Sequence, residues 1–348
     1  MNENSAGINR FVRKKLLPLF SFEMPKRARY SRKDMLALLL NAGILGGFAE
    51  GTSNAIEGLP DADTMLNYVK TIDRNALIEI FDRQVEDGLK VLAKKGLLFR
   101  PVPVAIDWFD WMFYGNPSTE MVMGTNRKKG SNYAYEFLTA SIVAEGRRIV
   151  LGVLPVSSRA EIGRQSIRLV EKIRRVLNVS YLTFDRGFFC VELLHFLELH
   201  DIKYVMHLPQ TNRTKRMRLW PGRRFRYRTS SHHRGGIPQI AFDVVVAVDE
   251  KDNRYLFATN VQCSADRFLV LFKPRWGIET SYRINNQFLP KTVSRNYTVR
   301  LFYYLFACLV QNCWVVCKAS FCDVTIPVLE LKLCLLLGGE ILSAGGPT

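Results

Sequence analysis

Acidic residues are scarce in this chain. Its 348 residues hold 32 Asp and Glu against 49 Lys and Arg, a formal net charge of +17, and no acid lies between Lys203 and Phe242. Such an imbalance points to a polyanionic partner, nucleic acid before membrane. Histidine is scarcer still, with five. The adjacent pair His232 and His233 sits in an arginine-rich loop and does not have the look of a ligand set. Cysteines number seven, without a CxxC pair, which argues against both a secreted disulfide scaffold and a zinc site. Five of them (Cys308, Cys313, Cys317, Cys322 and Cys334) lie among Leu, Val and Phe and read as buried reduced thiols. The N-terminus lacks the apolar core of a signal peptide. The one long apolar run, Leu301 to Cys317, is barely long enough to span a bilayer and is interrupted by Gln311 and Asn312. A buried core helix is expected there, in a cytoplasmic, nucleoid-associated protein that does not enter a membrane.

What is present is ordinary for a globular protein, with 48% hydrophobic and 23% charged residues, but long for a single compact domain. Residues 1–98 read as a helical region with a basic front, a candidate DNA-binding module. Arg10, Arg13, Lys14, Lys15, Lys26, Arg27, Arg29, Arg32 and Lys33 alternate there with Phe11, Leu16, Leu17, Phe20 and Phe22. Ser31-Arg32-Lys33-Asp34 opens the apolar run Met35 to Leu45 as a capping box would, and Ile72 to Leu98 has helical periodicity. From residue 101 the pattern changes to strands, at 102–107, 133–143 and 148–154. A helix follows over 160–177, a strand at 179–185, a helix near 189–199 and a strand at 203–206. Residues 299–317 and 326–337 read as two apolar segments that complete the core, and 343–348 as a loose tail.

Two of these strands end on aspartate: Pro101 to Asp107, and Val179 to Asp185. A carboxylate at the end of a buried strand lies where open α/β sheets place ligands. A third carboxylate, Glu279, is expected on a helix over 272–283 with Pro274 in its first turn. At about 100° per residue, Arg275, Glu279 and Asn286 share one face, with Arg283 beside them. Two strand-end aspartates and a helix glutamate can hold a pair of divalent metals for phosphodiester chemistry. Asp110 competes with Asp107 and is ranked second, as lying beyond the strand. Between the second and third carboxylates, residues 207–272 read as a basic, β-rich insertion. Arg223, Arg224, Arg226 and Arg228, with Trp220, Phe225 and Tyr227 among them, suit a surface that tracks phosphates and stacks bases.

In this order the residues resemble the DDE transposases of bacterial and archaeal insertion sequences, in the branch with a Tyr-x2-Arg-x3-Glu-x6-Lys signature and a β insertion. The likeness covers about residues 100–318. It rests on Ala105-Ile106-Asp107 followed by Tyr114-Gly115, on the turn Lys128-Lys129-Gly130, on Phe184-Asp185-Arg186-Gly187-Phe188, and on Arg275-Trp276-x-Ile278-Glu279. It implies an α/β, ribonuclease H-like mixed sheet flanked by helices, made of 99–206 and 273–340 with the insertion at 207–272. It also implies Asp107, Asp185 and Glu279 as catalytic metal ligands for two Mg2+ ions, with Mn2+ able to substitute. The implied partners are DNA, as element ends and target, and a second copy of the chain in the DNA complex. Arg275 falls on the signature arginine. Phe272 stands in place of the tyrosine and Asn286 in place of the lysine, two positions that contact DNA phosphates in the family; Arg283 and Lys291 are candidates to supply the missing charge. Lys128, Lys129 and Arg186 complete the DNA-facing set. Two rivals remain: a catalytically impaired DNA-binding relic, and a ribonuclease H-like nuclease or resolvase.

Overall fold

The computed structural model describes residues 3–128, 130–144, 146–229, 239–321 and 328–343. Five helices come first: α1 (Glu3–Leu16), α2 (Arg32–Leu45), α3 (Ala49–Ala55), α4 (Ala62–Lys70) and α5 (Arg74–Lys94). Then come β1 (Val102–Phe113), β2 (Val122–Lys128), β3 (Ser131–Ile142), β4 (Val150–Pro155), α6 (Ile162–Val176), β5 (Val179–Phe184), α7 (Val191–Leu199) and β6 (Tyr204–His207). The insertion holds α8 (Asn212–Met217), β7 (Arg224–Arg228), β8 (Ala241–Val248) and β9 (Arg254–Thr259). The chain closes with α9 (Arg267–Phe272), α10 (Trp276–Asn285), α11 (Tyr297–Phe321) and α12 (Val328–Ser343).

These elements group into two compact units, 1–99 with 111–135 and 280–348, and 100–110 with 136–279. The units cut across the boundaries expected from chemistry, because β1, β3 and α10 each run through both.

The first unit is helical. The buried stripe of α1 (Ile8, Val12, Leu16) packs on α11 and α12, and the Asn9 amide donates to the carbonyls of Cys334 and Leu335. The basic front is therefore not a free arm: Lys15 pairs with Asp87 and Arg32 donates twice to the Phe22 carbonyl. Ser31 and Asp34 do form the expected capping box on α2, and Gly46 ends that helix at φ +63°, a conformation that favours glycine. By length and composition α11 could cross a membrane, but within this unit nearly all of it is buried. The unit's β2, which reads as basic turn in the sequence, pairs antiparallel with the first residues of β3. The turn residue Lys129 lies outside the described residues, as do Cys322, the tail beyond Ser343, and His232, His233 and Arg234 of the other unit.

The second unit is an α/β sheet in the order β4-β3-β1-β5-β6-β9-β8-β7. β1, β5 and β6 run parallel, buried on both faces, which is why they read as continuous apolar runs. The insertion strands do not form a separate module. β9 pairs antiparallel with β6, β8 with β9 and β7 with β8, so the insertion extends the same sheet. Beneath it α9 buries Phe268 against Val205, Val245, Ala247 and Phe257.

α6 buries Gly163, Ser166, Leu169, Val170 and Ile173 against β4 and α7. The contact with β4 is tight at Gly152, where an added Cβ would stand 2.7 Å from a Leu169 methyl. Gly152→Val should therefore overpack the α6–β4 contact and cost about 1–3 kcal/mol, read as a lower urea midpoint with an unchanged slope.

Candidate active site

β1 and β5 pair in register through Ile106 and Phe184, so the residues that follow each pair come to one edge of the parallel strands. Those residues are Asp107 and Asp185. β1 itself does not stop at Asp107, as its sequence suggests; it continues to Phe113. Asp110 thus lies within the strand, and three residues from Asp107 it faces the opposite side. Asp185 caps a 3-10 turn, Arg186–Phe188, accepting the Arg186 N–H at 2.8 Å. Trp108 stacks on Phe188 at 5.0 Å, which ties the two aspartate segments together.

The expected single helix over 272–283 is three pieces: α9, a 3-10 turn at Lys273–Arg275 and then α10. Pro274 sits at the start of the 3-10 turn, where its missing N–H costs nothing. The break turns Arg275 inward, to 7% exposure. α10 then begins close against β3's end, where a Cβ on Gly277 would meet the Val143 carbonyl at 3.2 Å.

Arg275 is the centre of the arrangement. Its Nη1 donates to Asp107 Oδ2 at 2.9 Å and its Nη2 lies 3.6 Å from Glu279 Oε1. The guanidinium also rests over the Phe272 ring, 5.5 Å from its centre. Arg275 therefore points at carboxylates in this structure. Burial pushes Asp107 up to about 6, despite the Arg275 charge and the Trp108 N–H, with the Asp185 and Glu279 charges raising it further. That mutual influence shows the three carboxylates share one field.

Asp185 moves the opposite way, down to about 2. The largest cause is the His207 imidazole, whose Nδ1 is 3.9 Å from Asp185 Oδ1, at the long limit of a polar contact; the Arg186 N–H and the Arg275 charge add to it, against burial. His207 ends β6, beside β5, and its ring is held among Tyr255, Phe257 and Phe272. Nothing in the sequence singles it out, since a lone histidine ending a short strand carries no spacing signal; only the β5–β6 pairing reveals it. The Nε of Arg275 and the Nε2 of His207 are both buried without a hydrogen-bond partner among the described residues. Buried polar atoms left open here are compatible with a bound water, ion or ligand. The carboxylates offer oxygen donors only, the set that hard divalent cations take, and a guanidinium sits among them in the position of a balancing cation. The donor chemistry fits such a metal. Among the described residues, though, no cluster of three ligating side chains forms a ready-made cage, since Asp107 is turned to Arg275 and Asp185 toward His207.

The other candidates are dispersed. Arg186 is exposed on the turn after Asp185. Lys128, Arg283, Asn286 and Lys291 belong to the first unit. α10 ends at Asn285, so Asn286 lies just past the helix, with its N–H still bonded to the Tyr282 carbonyl; Arg283 donates to Thr280. In the insertion, β7 alternates basic and aromatic residues, and its pairing with β8 brings Asp243 between two arginines. Arg224 and Arg226 each reach an Asp243 oxygen at 2.9 Å, and Arg224 also donates to the carbonyls of Val261 and Cys263. Arg223, Arg228 and the 56%-exposed Trp220 remain at the surface, with Arg223 over the Trp220 ring.

The profile of the transposase DDE domain matches residues 99–303, more than half of the chain. The chain belongs to that family. No curated protein matches the transposase significantly, whereas seven solved chains do. One is a piggyBac transposase, seen by cryo-EM in a synaptic complex with hairpin DNA. It superposes with a TM-score of 0.63 at 11% identity, covering 100% of this chain and 80% of that one. At that identity the likeness is one of fold, and it agrees with the ribonuclease H-like sheet described above.

Titration and stability measurements without added metal test this geometry. In carbon-13 NMR titrations of labelled aspartate, Asp107 should titrate near pH 6 and Asp185 near pH 2. By linkage, Asp107, raised in the folded state, removes stability as pH climbs from about 4 to 6; Asp185, lowered, removes it as pH falls from about 4 to 2. His207→Ala should bring Asp185 back toward the ordinary range and leave Asp107 in place. In the insertion, Arg224→Gln should lower thermal stability, since it leaves two carbonyls and part of Asp243 unmatched, by about 1–3 kcal/mol. Arg228→Gln, exposed, should stay within about 0.5 kcal/mol of wild type.

Proposed function

We propose that this chain is an insertion-sequence transposase that cuts DNA at the ends of its element and joins the exposed 3′ ends to target DNA. The observation that carries the reading is the convergence of Asp107 and Glu279 on one buried guanidinium, with Asp185 in the same electrostatic field. Three carboxylates drawn from two strand ends and a helix to one place are the oxygen donor set that a pair of divalent cations takes in phosphodiester chemistry.

Two divalent cations, Mg2+ or Mn2+, held by Asp107, Asp185 and Glu279, would supply Lewis acidity for the attacking water or 3′-hydroxyl and for the leaving oxygen. The chain's own residues do the rest. Asp185, held well below the ordinary carboxylate range, is ionised at any working pH and ready to ligate. Asp107, raised to about 6 by burial, is still largely ionised at neutral pH, and an approaching cation would favour that form further. Arg275 offsets part of the trio's negative charge. Freed from it, the guanidinium is placed to take a phosphate through two parallel bonds. Arg186, on the turn beside Asp185, is set to meet the same strand. We carry DNA over as partner from the family and from the hairpin DNA held by the piggyBac neighbour. The protein then works as a homodimer on DNA, in the cytoplasm at the nucleoid. Lys128, Lys129, Arg283, Asn286 and Lys291 remain proposed contacts for the strand beyond the reacting phosphate.

The test is incubation of supercoiled DNA carrying the cognate ends with Mg2+, Mn2+ or Ca2+. Mg2+ and Mn2+ should support cutting and Ca2+, with its looser coordination, should not. Asp107→Ala, Asp185→Ala and Glu279→Ala should each retain DNA binding and lose cleavage by more than the 10–100-fold that outer-shell partners of a metal typically cost, about 10³-fold or beyond. Robust cutting by any one of the three refutes the assignment; a wild type that binds cognate ends and never cuts is the DNA-binding relic.

A further inference from the structure

The surplus positive charge has to lie somewhere, and the arginine-rich insertion holds less of it free than its sequence suggests, since Asp243 takes up both Arg224 and Arg226. The outer face of α6 presents a different picture. Arg164, Arg168 and Arg175 are exposed, and at 100° per residue they fall within about 40° of one another, a stripe about 16 Å long. Arg174, also exposed, stands beside the last of them. The ion pairs around the helix run elsewhere, from Arg159 to Glu136 and from Lys203 to Asp201, and none engages these four arginines among the described residues. The opposite face of α6 is buried on β4 and α7, so the stripe is fixed in direction and cannot turn inward.

At its C-terminal end the stripe meets an open cleft of about 500 Å³ lined by Arg174, Arg175 and Asn178 beside the Lys203–Asp201 pair. This cleft lies at the start of β5, whereas Asp185 follows its end, six residues or about 20 Å away. The phosphates held here cannot be the phosphate undergoing reaction.

We propose that the α6 stripe and its cleft form a second DNA-binding surface, which holds duplex DNA of any sequence by its backbone, away from the carboxylates. Four exposed arginines can hold about four phosphates, and guanidinium contacts to the backbone match charge and not sequence. On the stripe itself one residue opposes this role. Glu171 lies on the stripe between Arg168 and Arg175 and is exposed. It gives the proposal a test of opposite sign.

The proposal rests on the DNA-transposase reading, and the measurement is duplex binding, which needs no cleavage. A fluorescently labelled duplex of unrelated sequence is titrated with full-length protein over a salt series. For the triple variant Arg164→Gln/Arg168→Gln/Arg175→Gln, the slope of log affinity against log salt should shrink by about 0.9 for each phosphate no longer held, with weaker binding at every salt. Glu171→Gln should bind more tightly than wild type, a gain that no misfolded variant can mimic. A control away from α6 and from every proposed DNA contact, Lys251→Gln in the acidic turn between β8 and β9, should leave the slope near wild type. An unchanged slope in the arginine triple, an equal loss in the control, or a loss confined to cognate-end duplex would each overturn the stripe and leave the active-site reading standing. A wild type that binds no duplex at all would remove both.

Discussion

The site depends on one buried cation. Arg275 is almost wholly removed from solvent, and a guanidinium so placed is tolerable only with carboxylates at hand. Asp107 and Glu279 meet that need, and in return the three groups fix one another: the helix that bears Glu279 cannot drift from the strand that bears Asp107 without exposing or stranding the charge. A guanidinium is suited to this position because it never gives up its proton and offers donors in a flat fork. Its Nε, like the Nε2 of His207, has no hydrogen-bond partner among the described residues.

Phe272 links the two halves of this centre. Its ring carries Arg275 on one contact and His207 on another. Through them it lies behind both Asp107 and Asp185. The ring belongs to a larger aromatic group with Phe257, at 4.9 Å, and Phe268, which anchors α9 to the insertion strands. The insertion therefore does more than add basic surface. By extending the sheet past β6, it builds the apolar wall against which the second carboxylate's partner is held.

The two aspartates show how neighbouring positions on one sheet edge acquire opposite tendencies. Asp107 is within a strand buried on both sides, and desolvation outweighs the arginine beside it. Asp185 lies one residue past its strand, half in solvent, where a backbone N–H and an imidazole both favour the charged form. A small difference in where each strand stops is enough to separate them.

Much of this was legible in the chain. The parallel strands announced themselves as apolar runs because burial on both faces leaves no room for alternation, and Asp107 and Asp185 stood out as acids ending such runs, with Glu279 on a helix face beside Arg275. Pro274 signalled a break in the chain's helical run, which the structure places as a 3-10 turn between α9 and α10. What the chain could not reveal was pairing. That β7 lies against β8, so that an acid-free basic stretch borrows Asp243 from the next strand, is a matter of register. So is the meeting of His207 with Asp185, which are 22 positions apart and joined only by β5 and β6 lying side by side. The inward turn of Arg275 likewise follows from a 3-10 break between two helices, where periodicity alone read one continuous helix. Local sequence sets which residues can be buried, charged or turned; which of them face each other is decided by strand order and register, and only the folded sheet supplies those.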